Sequence, residues 1–385
     1  MLTRLKLTNW RSVQSATIDF TPITVFIGAN ASGKTNILDA IRFRRDSLLQ
    51  RGLVSVVKEW GYWRIQTDAL KNNEPVELEY TYRVGISPKP IREILTLSFD
   101  KRDTPFQVRN RLYEGEKCLR DESEELPIRD VVGPVRWFTG DEQTALHSSR
   151  ALLEHIYPLI LKRWQILGDN FAPPLRLSDR EGGSVFVLEP DARNMLRILE
   201  FMRQFYPDLY KALQTDLNWI LDFIESVDVW QQDEETRLLV REKTRTAPTI
   251  SMGTSRLLAM LTAFYALEMP QSKSDMRLND ISTPDMPGLV VIEEPDAALN
   301  PLLLKRLVEQ IRNYVEGDHP RQVIMTTHNP LFLNYFKPEE VRVVERDENG
   351  FTTVRNIPDH ILDIWLDEYG LGDVWLTRSL GGVPE

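Results

Sequence analysis

Residues 28–35 read Gly-Ala-Asn-Ala-Ser-Gly-Lys-Thr, which matches the Gly-x-x-x-x-Gly-Lys-Thr pattern of phosphate-binding loops without deviation. An apolar run at 23–27 predicts a short buried strand before this loop, and a helical pattern at 36–43 follows it. The N-terminus of such a helix directs unpaired N–H groups and a positive dipole end at an anion. We therefore predict an α/β fold with a phosphate site at 28–35. The alternative is a glycine-rich turn before an ordinary helix.

Individual residue types in this loop predict individual roles. Gly28 and Gly33 let the backbone wrap a phosphate without Cβ clashes. Lys34 can reach the β- and γ-phosphates, and the Thr35 hydroxyl can ligate Mg²⁺. The loop thus predicts a nucleoside triphosphate and Mg²⁺ as ligands.

The composition is that of a soluble globular protein, with 42% hydrophobic and 27% charged residues among 385. Cys118 is the single cysteine, which excludes an intrachain disulfide and a cysteine-based metal framework. Apolar runs stay well short of the roughly 20 residues that a membrane-spanning helix needs, and the N-terminus reads as an amphipathic strand. We therefore expect a cytoplasmic protein without a membrane partner.

The net charge of −10 argues against a basic coat around the whole protein. The charge is uneven, because residues 1–60 carry nine lysines and arginines against four acidic residues. Two explanations stay open for this region. It is either an ordinary solvated charged face or a local patch for a polyanion such as nucleic acid.

Hydrophobic periodicity predicts further elements between the motifs. Period-two alternation predicts two short strands around a turn at 9–12, and an antiparallel β lobe from the runs at 76–84, 91–99 and 106–113. Helical periodicity and a second pair of strands follow, and a Ser-, Asp- and Pro-containing stretch predicts an exposed loop. The predicted helices are 148–167, 192–205 and 208–225, the strands are 227–231 and 236–241, and the loop is 271–287.

A second group of polar residues follows the apolar run 289–292. The run predicts a buried strand, and Glu293 and Glu294 stand at its carboxyl end, where ligands bind in open α/β sheets. An ATP hydrolase needs one carboxylate near the metal and another beside the attacking water. We assign Glu293 to the Mg²⁺ shell and Glu294 to the water; an acidic turn that caps a helix is the alternative.

A third strand, predicted at 322–326, ends close to His328. A histidine at a strand tip can sense a γ-phosphate by hydrogen bonding, although a lone histidine there is more often structural. The three motifs follow one another in the order found in known ATPases. We therefore assign His328 a catalytic role together with Glu294 and Lys34.

A fourth group at 249–255 precedes a helical run that extends to residue 268. Ser251 and Gly253 at the N-terminus of this helix predict a second anion site by the same dipole argument. An ordinary serine cap on a buried helix is the alternative. One chain rarely needs two such sites for one phosphate, unless the second serves a neighbouring subunit.

These motifs in this order make the chain similar to the ATP-binding-cassette (ABC) class of ATPases. Within that class it resembles the stand-alone soluble branch related to the overcoming-lysogenisation-defect, RecF and structural-maintenance-of-chromosomes proteins. The resemblance extends over nearly the whole chain. The segments that carry it are 9–12, 30–40, 251–259, 293–301, 326–330, 369–375 and 380–384.

The resemblance implies a P-loop ATPase head of the ABC type, with a mixed RecA-like sheet, an antiparallel β lobe and a helical lobe. We predict an N-terminal ATPase lobe with the β lobe at 1–145, a helical lobe at 146–245 and a C-terminal ATPase lobe at 246–385. The residues implied to bind ATP are Gly28, Asn30, Ser32, Gly33, Lys34, Thr35, Asn36, Ser251 and Gly253, and those implied to bind Mg²⁺ are Thr35 and Glu293.

The resemblance further implies a head-to-tail homodimer or a higher homo-oligomer. ATP would then lie between the loop at 28–35 of one subunit and 251–254 of the other, with 296–300 across the dimer seam. This arrangement gives the second anion site a purpose.

Several positions depart from the family pattern. Met252 stands where the family has a first glycine, and Asn300 replaces a common Asp or His. The family pattern also includes a glutamine that completes the Mg²⁺ shell. Gln107 and Gln143 are weak candidates for this residue. Arg11 in the opening turn is either a nucleotide contact or an ordinary surface arginine.

Residues after His328 bear on the output of such an ATPase. They predict strands at 341–345 and 351–356 and a helix at 358–368. Many relatives carry a nuclease domain after the last ATPase motif, and we expect none within these residues. We read the acidic cluster on that helix as a solvated face. Its members are Asp359, Asp363, Asp367 and Glu368.

The sequence therefore favours a cytoplasmic ATP-driven switch that regulates a separate effector, a nuclease by family analogy, in prokaryotic antiviral defence or DNA maintenance. Contact with nucleic acid would fit the basic first 60 residues. Two alternatives stay open: the nucleotide-binding subunit of a membrane transporter, and an ATP-dependent scaffold that does not hydrolyse ATP.

Overall fold

The computed structural model of the chain describes residues 1–49, 56–57, 60, 65, 67, 74–84, 88–98, 106–126, 164–168, 171, 176–178, 184–232, 235–244, 246–247, 250–269, 287–317, 319–358 and 370–382. Four sequence predictions lie outside these residues. They are the helix from 148 to 163, the loop at 271–286, the acidic helix after 358 and the candidate Gln143.

The described part of the chain contains both strands and helices, in agreement with the predicted α/β class. The strands are β1 (Leu2–Trp10), β2 (Val13–Asp19), β3 (Ile23–Ile27), β4 (Val76–Tyr82), β5 (Ile91–Ser98), β6 (Phe106–Glu114), β7 (Lys117–Leu126), β8 (Gln165–Leu167), β9 (Arg176–Ser178), β10 (Ile224–Gln232), β11 (Glu235–Glu242), β12 (Thr246–Ala247), β13 (Gly288–Glu293), β14 (Arg321–Thr326), β15 (Val341–Arg346) and β16 (Thr352–Asn356). The helices are α1 (Lys34–Leu49), α2 (Met195–Phe205), α3 (Pro207–Ile220), α4 (Met252–Ala266), α5 (Leu304–Val315), α6 (Pro330–Leu333) and α7 (Leu371–Leu376).

The central sheet has the strand order β16-β15-β3-β14-β13-β8. Its inner strands pair in parallel, and β16 pairs antiparallel with β15 at one edge. All five residues of β3 are buried, as expected for a strand covered on both faces. The strands predicted at 23–27, 289–292 and 322–326 are confirmed as β3, β13 and β14.

Two hydrophobic cores lie on opposite faces of the central sheet. Val25 and Ile27 of β3 belong to a core shared with α2, α3 and α4. Phe26 points the other way, into a core shared with α1 and the antiparallel sheet. The alternation follows from the two-residue period of a strand. The sheet therefore separates a helical layer from the β lobe.

The β lobe is an antiparallel sheet of order β2-β1-β4-β5-β6-β7, which confirms the predicted antiparallel lobe. The sequence prediction missed β7, which pairs with β6 through a turn at Gly115. The segment reads Lys-Cys-Leu-Arg-Asp-Glu-Ser-Glu-Glu-Leu, a composition depleted in β-branched and aromatic residues. Tertiary pairing rather than local propensity makes it a strand.

Two helix predictions were wrong at their ends. The helix predicted at 208–225 ends at Ile220, because β10 begins at Ile224 and pairs with β11. The helix predicted at 148–167 does not include 165–167, which form β8 beside β13. A short buried apolar run fits a parallel strand and a helix equally well. The three-region division stays a prediction, because the boundary at 145 lies outside the described residues.

No helix in the described part of the chain is long and apolar enough to cross a membrane.

A buried ion pair fixes α1 to the β lobe. The Arg44 guanidinium donates two hydrogen bonds to the Glu93 carboxylate, at 2.7 and 2.8 Å, and the Glu93 side chain is fully buried. Asn110 donates a third hydrogen bond to the same carboxylate at 3.1 Å. Because α1 starts at the phosphate loop, this pair holds that loop against the β lobe.

We expect Glu93→Gln to lower the free energy of unfolding by about 3 kcal/mol, because it leaves the Arg44 charge buried without its counterion. Urea unfolding followed by tryptophan fluorescence measures the change. Asp121→Asn is the matched control, since its pair with Arg109 lies on the same sheet with both side chains at least 40% exposed. Exposed pairs contribute little, so an equal shift of the unfolding midpoint in both variants would contradict the role of Glu93.

Candidate functional site

Three parallel strands end side by side at one edge of the central sheet. Thr326 of β14 is the register partner of both Phe26 in β3 and Glu293 in β13. Backbone hydrogen bonds continue past the strand ends, from Thr327 N to Phe26 O at 3.1 Å and from Glu294 N to Thr326 O at 3.2 Å. The three sequence motifs after these strands therefore meet at the carboxyl edge, where α/β sheets bind ligands.

The loop between β3 and α1 has a backbone that requires glycine twice. Gly28 has φ +155° and Gly33 has φ +111°. A Cβ on Gly28 would lie 2.2 Å from the Val344 carbonyl oxygen, and one on Gly33 would lie 2.1 Å from the Thr352 Oγ1. Both glycines therefore allow the loop to pack on β15 and β16 and to curve as a phosphate-binding loop does.

Lys34 folds back over this loop. Its Nζ donates hydrogen bonds to the carbonyl oxygens of Gly28 at 3.0 Å and Ala29 at 2.9 Å. Burial lowers the pKa of Lys34 to about 8, and the carboxylates of Glu294 and Glu293 partly offset that effect. The ammonium group thus lies where the motif requires a phosphate-binding cation, within the field of both glutamates.

Thr35 and Glu293 are joined although they are 258 positions apart. The Thr35 hydroxyl donates a hydrogen bond of 2.7 Å to the Glu293 Oε2. Hydroxyl and carboxylate oxygens are hard donors, and Mg²⁺ in nucleotide sites takes one or two such protein ligands besides phosphate oxygens and water. This donor pair fits Mg²⁺.

Ser32 is a second residue that shows whether the loop fits a nucleotide phosphate. Its side chain is buried, and among the described residues no group hydrogen-bonds its hydroxyl. Buried polar atoms are rarely left without a partner, and a hydroxyl on the phosphate loop has an anionic ligand as its natural partner. Together with the glycine backbone, it makes the loop fit a nucleotide phosphate.

Glu294 and His328 face each other across the strand ends. The Glu294 Oε1 lies 3.7 Å from the His328 Nε2, and the side chains are 39% and 32% exposed. Burial and the Lys34 charge lower the pKa of His328, against an opposing effect of Glu294. The imidazole is therefore neutral at pH 7 and can donate or accept a hydrogen bond. Glu294 itself has φ +49°, an uncommon backbone for a non-glycine residue.

Ser251 caps α4 as an ordinary N-cap would. Its Oγ accepts a hydrogen bond from the Thr254 N–H at 3.1 Å, and its own backbone is extended. Gly253 packs on the loop after Glu294, where an added Cβ would lie 2.4 Å from the Ala298 carbonyl oxygen. Ser251 and Met252 stay exposed at the helix end. The cap role and an anion site for a second subunit are compatible.

The remaining predicted contacts lie at different places. Asn30 is exposed on the loop, whereas the Asn36 side chain donates to Ser12 Oγ at 2.5 Å and accepts from Arg11 at 3.2 Å. Arg11 also pairs with Asp39 at 2.5 Å, so it braces the opening turn against α1. Gln107 lies exposed in β6 of the antiparallel sheet, away from the strand ends.

Arg256 on α4 is a site residue whose role the sequence did not reveal. Its guanidinium donates to the carbonyl oxygens of Glu294 at 3.0 Å, Glu293 at 3.5 Å and Phe171 at 3.2 Å, and lies 3.8 Å from the centre of the Phe171 ring. The side chain is buried. It thus ties the helix that begins at Ser251 to the backbone of both glutamates. In the sequence, the feature that could have pointed to this role is an arginine within an apolar helical run.

Arginines of the first 60 residues are mostly paired with carboxylates, which favours the explanation of an ordinary charged face over a polyanion patch. The pairs are Arg4–Asp19, Arg11–Asp39, Arg42–Asp46, Arg44–Glu93 and Arg45–Asp46.

Two family models and two curated proteins match this chain in sequence. Residues 1–127 match the family described as AAA ATPase domain, and residues 196–334 match the family described as AAA domain, putative AbiEii toxin, Type IV TA system. The OLD nuclease of Thermus scotoductus is 24% identical over 99% of this chain and 68% of its own length. The Old nuclease of Escherichia phage P2 is 20% identical over 94% of this chain and 62% of its own length.

A solved structure shares the fold. The head domain in the structure titled "Crystal structure of the SmcHead bound to the C-winged helix domain of ScpA" superposes with a TM-score of 0.57 at 15% identity, over 94% of this chain and 99% of that one. The fold and the strand-end motifs thus define a P-loop ATPase of the ABC head type. Within that class, the chain is related to the OLD nucleases and has the fold of SMC heads.

We expect Arg256→Lys to lower the free energy of unfolding by about 2 kcal/mol, because a single ammonium nitrogen cannot reach all three carbonyl oxygens that the two guanidinium nitrogens bind. Chemical denaturation measures this change. Arg306→Lys is the matched control, since Arg306 also donates to backbone carbonyls, of Trp219 and Ile220, but is 41% exposed. Equal stabilities of wild type and Arg256→Lys would show that these contacts do not hold the glutamate backbone.

Proposed function

We propose that the protein binds ATP with Mg²⁺ and hydrolyses it as a head-to-tail homodimer or higher homo-oligomer. The observation that carries this proposal is the convergence of Lys34, Thr35, Glu293, Glu294 and His328 at one edge of the central sheet. Each has the chemistry that a phosphoryl-transfer site needs there.

Binding begins with an exchange of hydrogen-bond partners. Lys34 would leave the carbonyls of Gly28 and Ala29 and bind the β- and γ-phosphate oxygens. The Thr35 hydroxyl and the Glu293 carboxylate, which now share a hydrogen bond, would hold Mg²⁺. When bound, Mg²⁺ neutralises charge on the phosphate oxygens.

Hydrolysis depends on the two half-exposed groups at the strand ends. Glu294 accepts a proton from, or orients, the water that attacks the γ-phosphate. Neutral His328 donates a hydrogen bond to the γ-phosphate from the opposite side. Arg256 holds the backbone carbonyl of Glu294, so α4 helps to position the backbone from which the carboxylate extends.

Dimerisation would complete the site. Ser251 at the exposed N-terminus of α4 provides an anion site for the ATP of a second subunit. Three exposed apolar side chains follow three of the motifs: Met252 is 62% exposed, Leu302 is 85% exposed and Leu331 is 54% exposed. Single exposed apolar side chains are common on protein surfaces, and in the proposed dimer a second subunit would cover these three.

The biological role that we propose rests on the similarity to the relatives. Because these are named OLD nucleases, we propose that the closed dimer regulates a nuclease effector in prokaryotic antiviral defence or DNA maintenance, with contact to DNA. The nuclease is either a separate protein or an activity of the same polypeptide, since the relatives are longer than this chain. Incubation of the purified protein with plasmid DNA, ATP and a divalent metal tests the second case.

Two alternatives predict different behaviour. A transporter subunit would co-purify with a membrane protein. A non-hydrolysing scaffold would bind ATP without releasing phosphate, so a turnover assay separates it from the favoured function.

We expect Lys34→Ala to abolish ATP binding measured by calorimetry, because the variant lacks the cation for the β- and γ-phosphates. Lys305→Ala, which removes a lysine that is 68% exposed on α5, is the matched control and should bind as wild type does. Undiminished ATP binding by Lys34→Ala would refute the assignment of the loop.

We expect Glu294→Gln to form a stable dimer with ATP and Mg²⁺ in light scattering, because it closes around ATP but cannot activate water. Glu316→Gln, an exposed glutamate after α5, should behave as wild type. A Glu294→Gln protein that stays monomeric with ATP would contradict the head-to-tail dimer.

Mixing two inactive variants tests whether the site is shared. Lys34→Ala destroys the phosphate loop, and Ser251→Arg blocks the opposing half. In a mixed dimer one site carries both changes and the other carries neither, so we expect phosphate release to recover to roughly a quarter of wild type from random pairing. No recovery above the separate variants would indicate that each chain builds its site alone.

A further inference from the structure

Residues 370–382, which include α7, connect two parts of the candidate ATP site; we call them the C-terminal bridge. One end packs on the loop that follows His328, and the other end reaches the first glycine of the phosphate loop. The sequence motifs assigned to ATP binding do not include this segment.

The first end is anchored by Asn334, which follows α6. The Asn334 Oδ1 accepts a hydrogen bond of 2.6 Å from the Gly372 N–H, and its Nδ2 lies 3.4 Å from the Asp373 carboxylate. Gly372 approaches α6 so closely that an added Cβ would lie 1.8 Å from the Pro330 carbonyl oxygen. Because α6 begins two residues after His328, a shift of the histidine loop moves this end of the bridge.

The second end is anchored on β15 and β16. Glu345 accepts a hydrogen bond of 2.7 Å from the Gly382 N–H, and Arg355 donates one of 2.7 Å to the Leu380 carbonyl. Glu345 and Arg355 also pair with each other at 2.9 Å. The Trp375 indole N–H closes the bridge on itself with a hydrogen bond of 2.9 Å to the Gly381 carbonyl. These contacts connect the end of the segment to β15, to β16 and to α7.

Gly382 touches the phosphate loop directly. It has φ +66°, and an added Cβ would lie 3.1 Å from the Gly28 Cα and 3.6 Å from the Gly28 N. The Val343 Cγ1 lies equally near the added Cβ, at 3.1 Å, but Gly28 presents backbone, which cannot rotate away as a side chain can. The position of Gly382 therefore limits the position of Gly28.

We propose that the C-terminal bridge positions the phosphate loop and couples it to the His328 loop, with Gly382 and Asn334 as its positioning residues. Packed elements of this kind shift as units rather than deform continuously. A γ-phosphate that draws His328 inward moves α6, then α7, and through Gly382 it sets the loop that holds the other phosphates. The proposal rests on ATP binding at 28–35.

Calorimetric titration with ATP and with ADP, in a Glu294→Gln background that prevents turnover, tests the first contact. Gly382→Ala should weaken binding of both nucleotides about tenfold, because it pushes on the loop that holds phosphates common to both. Gly350→Ala is the matched control: Gly350 also has positive φ, +82°, but nothing lies within 4 Å of its added Cβ. Equal nucleotide affinities in these two variants would overturn the role of Gly382.

Asn334→Ala tests the coupling without crowding the phosphate loop. It should lower the ratio of ATP to ADP affinity about fivefold, since it disconnects the histidine loop that recognises the γ-phosphate. Asn349→Ala, in the exposed hairpin turn, should leave the ratio unchanged. A purely structural role for Asn334 would reduce thermal stability and keep the ratio, and that result would overturn the coupling.

Lys34→Ala distinguishes failure of this inference from failure of the ATP site. If wild type binds ATP, Lys34→Ala does not, and neither bridge variant departs from its control, only the bridge is wrong. If wild type fails to bind ATP, the proposed function and the bridge fall together.

Discussion

The hydrogen-bonded register of β3, β14 and β13 is the constraint on which the candidate site depends. Three segments from distant parts of the sequence become neighbours because their strands pair in parallel and end at one level. The 2.7 Å contact between Thr35 and Glu293 follows directly from that alignment. A slip of one residue in either pairing would reverse the faces of a strand and separate the hydroxyl from the carboxylate. The chemistry of the site is thus encoded in the pairing of apolar strands.

The phosphate loop meets two demands with the same residues. Its glycines keep the backbone open toward an anion, and they also let β15 and β16 pack within about 2 Å of where a side chain would stand. Gly382 adds a third contact from the C-terminal bridge. The loop is therefore packed against the C-terminal strands as well as joined to its own helix, so residues far from the motif help to set its position.

The features that depend on neighbouring residues could be predicted from the sequence, and those that depend on tertiary contacts could not. The phosphate loop, Glu293 and Glu294 are visible because a strand, a tip and a residue type are adjacent in the sequence. Arg256 and the strand β8 were not, since a buried arginine within a helix and a three-residue apolar run gain meaning only from the carbonyls and the strand that they meet. The serine cap at Ser251 is local too, but its anion-binding purpose depends on a second subunit that one chain does not specify.

The crystal structure of Glu294→Gln with ATP and Mg²⁺ tests the central claim most directly. The claim predicts two subunits around each nucleotide, with Lys34 Nζ moved from the Gly28 and Ala29 carbonyls to the β- and γ-phosphates. It also predicts Mg²⁺ between Thr35 and Glu293, and Ser251 of the second subunit at the γ-phosphate. Nucleotide bound elsewhere, or Lys34 still on its loop carbonyls beside a bound nucleotide, would contradict it.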